Sequence, residues 1–184
     1  MVSNTNLYVY LCITRHKDNT HLANHKERKY SFIGTNDEEA YKIFRTFVKE
    51  GPKYEFARLY KSVNKRDNAK LHKALLYFLV DNPEYPMEKM GRKLVGLALQ
   101  SKNKAERKWM FDFDSNDLNL LNQFKSDILA VDNSVNLTTV PTVSGYSIVT
   151  SHGFYSEDLL KNYKGIVELK RDDMLLLTHD TNYK

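Results

Sequence analysis

Hydrophobic and polar positions along this chain repeat at two periods, and the switches between them mark out strands and helices. Leu7 to Thr14 is β-branched and aromatic and predicts a first strand. Arg15 to Lys29 is polar and His-rich, hence a loop, and Tyr30 to Gly34 predicts a short second strand. Thr35 with Glu38 forms a capping box. The helix that follows carries Ala40, Ile43, Phe44, Phe47 and Val48 at helical spacing, and Gly51-Pro52 stops it. Glu55 to Val63 predicts a strand with Phe56, Arg58, Tyr60 and Ser62 on one face and Ala57, Leu59, Lys61 and Val63 on the other.

Leu71, Ala74, Leu75, Phe78 and Leu79 mark a second helix ending near Asp81-Asn82-Pro83, and Glu88 to Ser101 a third. A basic connector then leads into a strand at Trp109. Beyond it, Ser115 caps a helix whose apolar stripe is Leu118, Leu121, Phe124, Ile128 and Leu129. The remainder alternates as strands, Asn136 to Val143, Tyr146 to Ser151, Gly165 to Lys170 and Met174 to Thr178, with a short helix over Ser156 to Tyr163. This order predicts an α+β fold, a mostly antiparallel sheet covered by helices.

With 184 residues, 41% hydrophobic and 12% aromatic, the chain is expected to form a single domain, residues 1–184, with a sizeable core. The longest apolar run, Leu7 to Ile13, is too short to span a bilayer, and the polar start Met1-Val2-Ser3-Asn4 lacks the pattern of an export signal. A cytoplasmic location without membrane contact is the expectation, the host cytoplasm if the protein is viral. Cys12 is the one cysteine, which suits a reducing compartment. The net charge of +5 is unevenly spread: residues 1–109 carry 22 Lys and Arg against 12 Asp and Glu, residues 110–184 6 against 11. A basic half, residues 1–107, thus precedes an acidic half, residues 108–184. Cations that attract phosphates joined to carboxylates that hold metal would suit a protein acting on nucleic acid or nucleotides.

The candidate chemistry centres on Trp109-Met110-Phe111-Asp112-Phe113-Asp114. Alternation sends Trp109, Phe111 and Phe113 into packing and puts Met110, Asp112 and Asp114 on the other face. The two carboxylates stand about 7 Å apart by strand rise, near enough to share a divalent ion. A calcium loop starting at Asp112 would need Gly and Glu where Asp117 and Gln123 stand, so that reading fails. An aspartyl-phosphate phosphatase would need Thr or Val where Asn116 stands, and a sugar-nucleotide transferase finds no other support. Further on, Ser144-Gly145 makes a turn in which Gly145 would let the backbone approach a ligand. The next strand puts Tyr146, Ile148, Thr150 and His152 on one face and Ser147, Val149 and Ser151 on the other. Later still, Glu168 is a candidate third carboxylate, and Asp172-Asp173 form a hairpin turn. His16, His21 and His25 near Cys12 fit no usual zinc spacing and read as a structural loop. Tyr54, Tyr60 and Tyr77 could stack on bases, but Tyr77 falls within an apolar helix and reads as core.

The order Phe-Asp-Phe-Asp, then a Ser-Gly-Tyr strand with hydroxyls and a His, then an acid on a later strand resembles the archaeo-eukaryotic primase superfamily over residues 108–177. The segment also looks like small phage-borne proteins in which a Thr-Pro-Asn-Gly-Tyr-His-type strand follows such a motif. The resemblance implies a primase-like, RRM-like core and a metal-dependent nucleotidyltransferase. In it Asp112 and Asp114, with Glu168, would bind Mg²⁺ or Mn²⁺, and a His would contact the triphosphate. Ser147 stands where that His is expected. Either His152 substitutes on a shifted register, beside the hydroxyls of Ser144, Ser147 and Thr150, or the site binds without turnover. Arg58, Lys61, Lys65 and Arg66 are candidate contacts to triphosphate or template. The alternatives are a catalytically silent module that binds nucleic acid or a host protein, and a nucleotide-binding inhibitor or sensor. A protein partner would be needed where a helical accessory domain is lacking.

Overall fold

The computed structural model describes residues 7–184; the polar start read at Met1 to Asn4 lies outside them. The chain is α+β, with eight strands and five α-helices among the described residues. The strands divide between two four-stranded sheets, and the chain between two compact units, residues 1–105 with 176–184 and residues 106–175. The boundary falls beside the change of charge. The first unit holds 21 Lys and Arg against 12 Asp and Glu, the second 7 against 11. Among the described residues no helix is long and apolar enough to cross a membrane.

In the first unit, β1 (Tyr8–Ile13) lies between β2 (Lys29–Gly34) and β3 (Phe56–Ser62), antiparallel to both, and β8 (Met174–Thr181) adds beyond β3. Helix α1 (Asp37–Lys49) covers one face because Ala40, Phe44, Phe47 and Val48 recur on one side of it and meet Tyr10, Cys12, Ala57 and Leu59. Its cap is Asn36 rather than Thr35: the Asn36 side chain accepts the Glu39 amide at 2.9 Å, and Asp37, Glu38 and Glu39 face the positive end of the helix dipole. Helices α2 (Asn68–Asp81) and α3 (Met90–Ala98) form a hairpin between β3 and the next strand.

The loop before β2 is tied down by a buried charge cluster. Glu55 is 1% exposed, and its carboxylate is paired with Arg28 and hydrogen-bonded at 3.0 Å to His25 Nε2. Arg28 also donates to the Phe47 carbonyl at 2.9 Å and lies 4.2 Å from the centre of the Phe47 ring. His21 contacts the Tyr54 carbonyl at 2.9 Å. These histidines therefore serve the loop itself, while Cys12 is buried under α1 with its thiol pushed up to about 12 by burial.

In the second unit, β4 (Trp109–Phe113), α4 (Leu118–Val131), β5 (Leu137–Pro141), β6 (Tyr146–Thr150), α5 (Glu157–Asn162) and β7 (Val167–Lys170) follow in β-α-β-β-α-β order. The sheet order β5-β6-β4-β7 is antiparallel throughout, so two split β-α-β units interleave. Phe111 and Phe113 of β4 are fully buried with Phe124 and Ile128 of α4, Leu159 and Tyr163. The cap of α4 is Asp117, whose carboxylate accepts the Asn119 and Leu120 amides; Ser115 instead accepts the Asp117 amide at 3.2 Å. The expected hairpin around Asp172-Asp173 does not form. β7 pairs with β4 and β8 with β3, so Arg171 to Asp173 carries the chain from one sheet to the other.

Replacing Glu55 by Ala leaves Arg28 and His25 beside an emptied site. A loss of about 3–5 kcal/mol in urea unfolding is expected, since removing one member of a buried pair strands the other.

Candidate functional site

β4 is hydrogen-bonded on both sides, and its register decides what surrounds the two acids. Asp112 is directly opposite Ser147 on β6 and directly opposite Glu168 on β7. Residues paired in this way project from the same face, with β-carbons about 4.5–5.5 Å apart. That face is the one turned away from Phe111, Phe113 and the helices, and it also carries buried Met110 and, two residues beyond Glu168, Lys170. Asp114 continues the face past the end of β4, its amide donating to the Ile166 carbonyl at 2.8 Å. The sequence reading of alternation in this strand is what the structure has.

The electrostatics follow from this crowding. Burial, then the charge of Asp114, then Glu168 and Asp173 raise the Asp112 carboxyl above its ordinary value, against the opposing pull of Lys170. Lys170 donates to Glu168 at 2.6 Å, and that carboxylate, followed by Asp173 and Asp112, holds the ammonium more firmly protonated. Glu168 is thus turned toward Lys170. Among the described residues no group of three or more His, Cys, Asp or Glu stands close enough together to hold a metal ion. In donor chemistry the cluster suits a hard cation, since every carboxylate offers only oxygen.

The turn between β5 and β6 lies at the carboxyl end of β4. A Cβ on Gly145 would lie 2.0 Å from the Phe113 carbonyl and 2.9 Å from the Ser115 amide. The close approach read from Gly145 is therefore made to the end of β4, and no ligand is needed to explain the glycine. Ser144 is exposed in the same turn.

Thr150 and His152 are placed elsewhere. Thr150 pairs with Trp109, three residues before Asp112 or about 10 Å along the strand, and it faces the core. Its hydroxyl donates to the His152 carbonyl at 2.9 Å. His152 lies beyond that end of β6. Its Nε2 meets Asp132 at 3.1 Å and its Nδ1 meets the Ser151 hydroxyl at 3.0 Å. The hydroxyl and amide of Ser134, then His152, keep the Asp132 carboxyl below its usual range. Of the two hydroxyl positions and the His read from sequence on β6, only Ser147 comes beside the acids.

The basic candidates all belong to the first unit and are engaged within it. Arg58, 8% exposed, donates to Asp18 at 2.7 Å, and Asp18 also accepts from Arg15 at 2.8 Å. Lys61, on the other face of β3, donates to Asp37 at 2.8 Å and sits 3.9 Å from the Tyr8 ring centre. Arg66 is buried at 2% exposure with its amide on the Leu7 carbonyl, and the Lys65 carbonyl accepts the Ala105 amide. Two members of the acidic cluster escape the sequence reading, Lys170 and Asp173. The period-two spacing of Lys170 from Glu168 carries the signal for the first; the second is brought in by the crossing segment.

In comparisons with known proteins, no family model matches this sequence and no curated protein matches it.

The carboxyl of Asp112 has a raised value in the folded chain, so the folded state binds a proton more tightly than the unfolded one. Ionised Asp112 therefore costs stability at neutral pH, and the cost disappears as pH falls through the raised value toward the ordinary one. Asp112→Asn should raise the melting temperature at pH 7 and flatten the decline of stability with pH just above the ordinary carboxyl range; a clear loss of stability at pH 7 would contradict this. Gly145→Ala should cost roughly 1–3 kcal/mol in denaturant unfolding, because the added methyl meets backbone that cannot yield.

Proposed function

We propose that the chain is a primase-like, metal-dependent nucleotidyltransferase whose site is the face of β4 turned away from the helices. The observation that carries this reading is the register that makes Asp112 the direct neighbour of Ser147 and Glu168, with Asp114 next on the same face. The β-α-β-β-α-β order of the second unit supports an RRM-like core, with the paired acids on its first strand. Asp112, Asp114 and Glu168 would hold Mg²⁺ or Mn²⁺, for which Glu168 must leave Lys170. Glu168 is 67% exposed, and exposed pairs are worth about 0–1 kcal/mol, so that exchange costs little. The bound ion would supply charge neutralisation at a triphosphate. Ser147 would contribute a neutral hydroxyl to the ligand, and the raised Asp112 carboxyl is a group whose ionised form a cation would stabilise.

A second reading is favoured by one specific observation. With Ser147 beside the acids and His152 held by Asp132, the face lacks the imidazole that the primase resemblance calls for. The protein would then bind nucleic acid or a host protein without turnover, or bind a nucleotide as an inhibitor or sensor.

Titration calorimetry with ATP, GTP and their deoxy forms, with and without Mn²⁺, separates these readings. Mn²⁺-dependent binding to the wild type that is lost in the Asp112→Ala/Asp114→Ala variant is expected, together with metal-dependent incorporation of nucleotide. Binding without turnover selects the inhibitor or sensor. An absence of nucleotide binding, with DNA or RNA binding that weakens steeply as salt rises, selects the silent module.

A further inference from the structure

Helix α2 is apolar on both of its sides, although only one side is packed. Leu71 is its fully buried residue, and Leu75, Phe78 and Leu79 lie half-buried around it. The inner side is closed locally: the Tyr85 ring meets Phe78 edge-on at 4.8 Å, and Lys93 from α3 lies 3.7 Å from the centre of the Phe78 ring. On the outer side, Leu76, Tyr77 and Val80 are 50, 61 and 78% exposed. With Ala69 and Lys73 they occupy one face, since residues 69, 73, 76, 77 and 80 are separated by helical steps of three and four. Large apolar side chains left bare in a row on an already packed helix call for a further partner. Three large exposed side chains in one stripe, one of them aromatic, are the composition of an interface centre rather than of scattered surface positions.

The charges bordering this stripe indicate what covers it. Lys73 stands near its beginning, the Nζ 5.6 Å from the Tyr77 ring centre, and Asp81 stands at its end. Lys73 and Asp81 are eight residues apart, about 12 Å along the axis, too far to meet within one helix. Neither takes part in an ion pair among the described residues. We propose that α2 docks antiparallel on α2 of a second copy of this chain, crossing at Tyr77. Tyr77 lies midway between Lys73 and Asp81. A two-fold axis there sets Lys73 against the partner's Asp81 and Asp81 against the partner's Lys73, while Leu76, Tyr77 and Val80 pack on their own copies. A parallel arrangement would set Lys73 against Lys73 and is disfavoured. The pattern is complementary to itself only when reversed.

Sedimentation equilibrium of the full chain over a wide concentration range tests this, since the substituted positions are exposed and leave the fold intact. The wild type is expected to be a dimer that dissociates on dilution, and Val80→Glu and Tyr77→Glu are expected to be monomers at the same concentrations. Lys73→Glu and Asp81→Lys should each weaken the dimer roughly tenfold, each replacing two attractive contacts by repulsive ones. The double variant Lys73→Glu/Asp81→Lys should restore it. A wild type that is monomeric at every concentration overturns the second copy as the occupant of this face, and so does a dimer indifferent to Val80→Glu. Failure of the double variant to restore what the single ones lose overturns the antiparallel crossing.

Discussion

The second unit depends on the two-sided pairing of β4, a five-residue strand that hydrogen-bonds to β6 on one side and β7 on the other. Its aromatic positions are held by the helices above the sheet, so the opposite positions are committed to the other face with no freedom of register. A slip of one residue would bury Asp112 among Phe124 and Ile128 and expose Phe111, a change too costly for the strand to sample. Hydrophobic packing on one face thereby positions carboxylates on the other. Gly145 secures the same arrangement from the end of the strand, where only a residue without a side chain lets the β5–β6 turn close on the Phe113 carbonyl.

The gathering of acids around β4 has an electrostatic consequence that the packing does not relieve. Lys170 is the cation that acts on this group, interacting with Glu168, Asp173 and Asp112. One ammonium offsets only part of three or four carboxylates, and burial first, then this remaining repulsion, raise the Asp112 carboxyl. The first unit differs in kind. There the carboxylates meet basic partners directly, Asp18 with Arg58 and Arg15, Asp37 with Lys61, and Glu55 with Arg28. Arg58 and Lys61, two of the four basic residues picked out on and just after β3, thus have structural ion-pair partners.

Much of the secondary structure is legible in the chain because it rests on local periodicity. The alternation of Trp109 to Asp114, the stripe of Leu121, Phe124 and Ile128, and that of Ala40, Phe44, Phe47 and Val48 are each sufficient to orient their element. Caps are less so: Asn36 and Asp117 take the role that Thr35 and Ser115 are equally suited to by type, and the choice is made by how the chain enters each helix. The pairing of strands is not local at all. The turn-forming residues Arg171 to Asp173 lie between two strands that join different sheets, which no feature of that segment reveals.

By itself the sequence determined the α+β class, the faces of its helices and strands, and the placing of Asp112 and Asp114 on one face, because these follow from the period of side chains along a single element. Only the tertiary structure decided that Glu168 and Ser147 are the neighbours of Asp112, that His152 belongs to Asp132 at the far end of β6, and that Arg58 and Lys61 are held by Asp18 and Asp37. Those outcomes depend on inter-strand register and on ion pairs between residues far apart in the chain. Both are set by competition among many possible partners for the same buried space, and no local pattern records the winner.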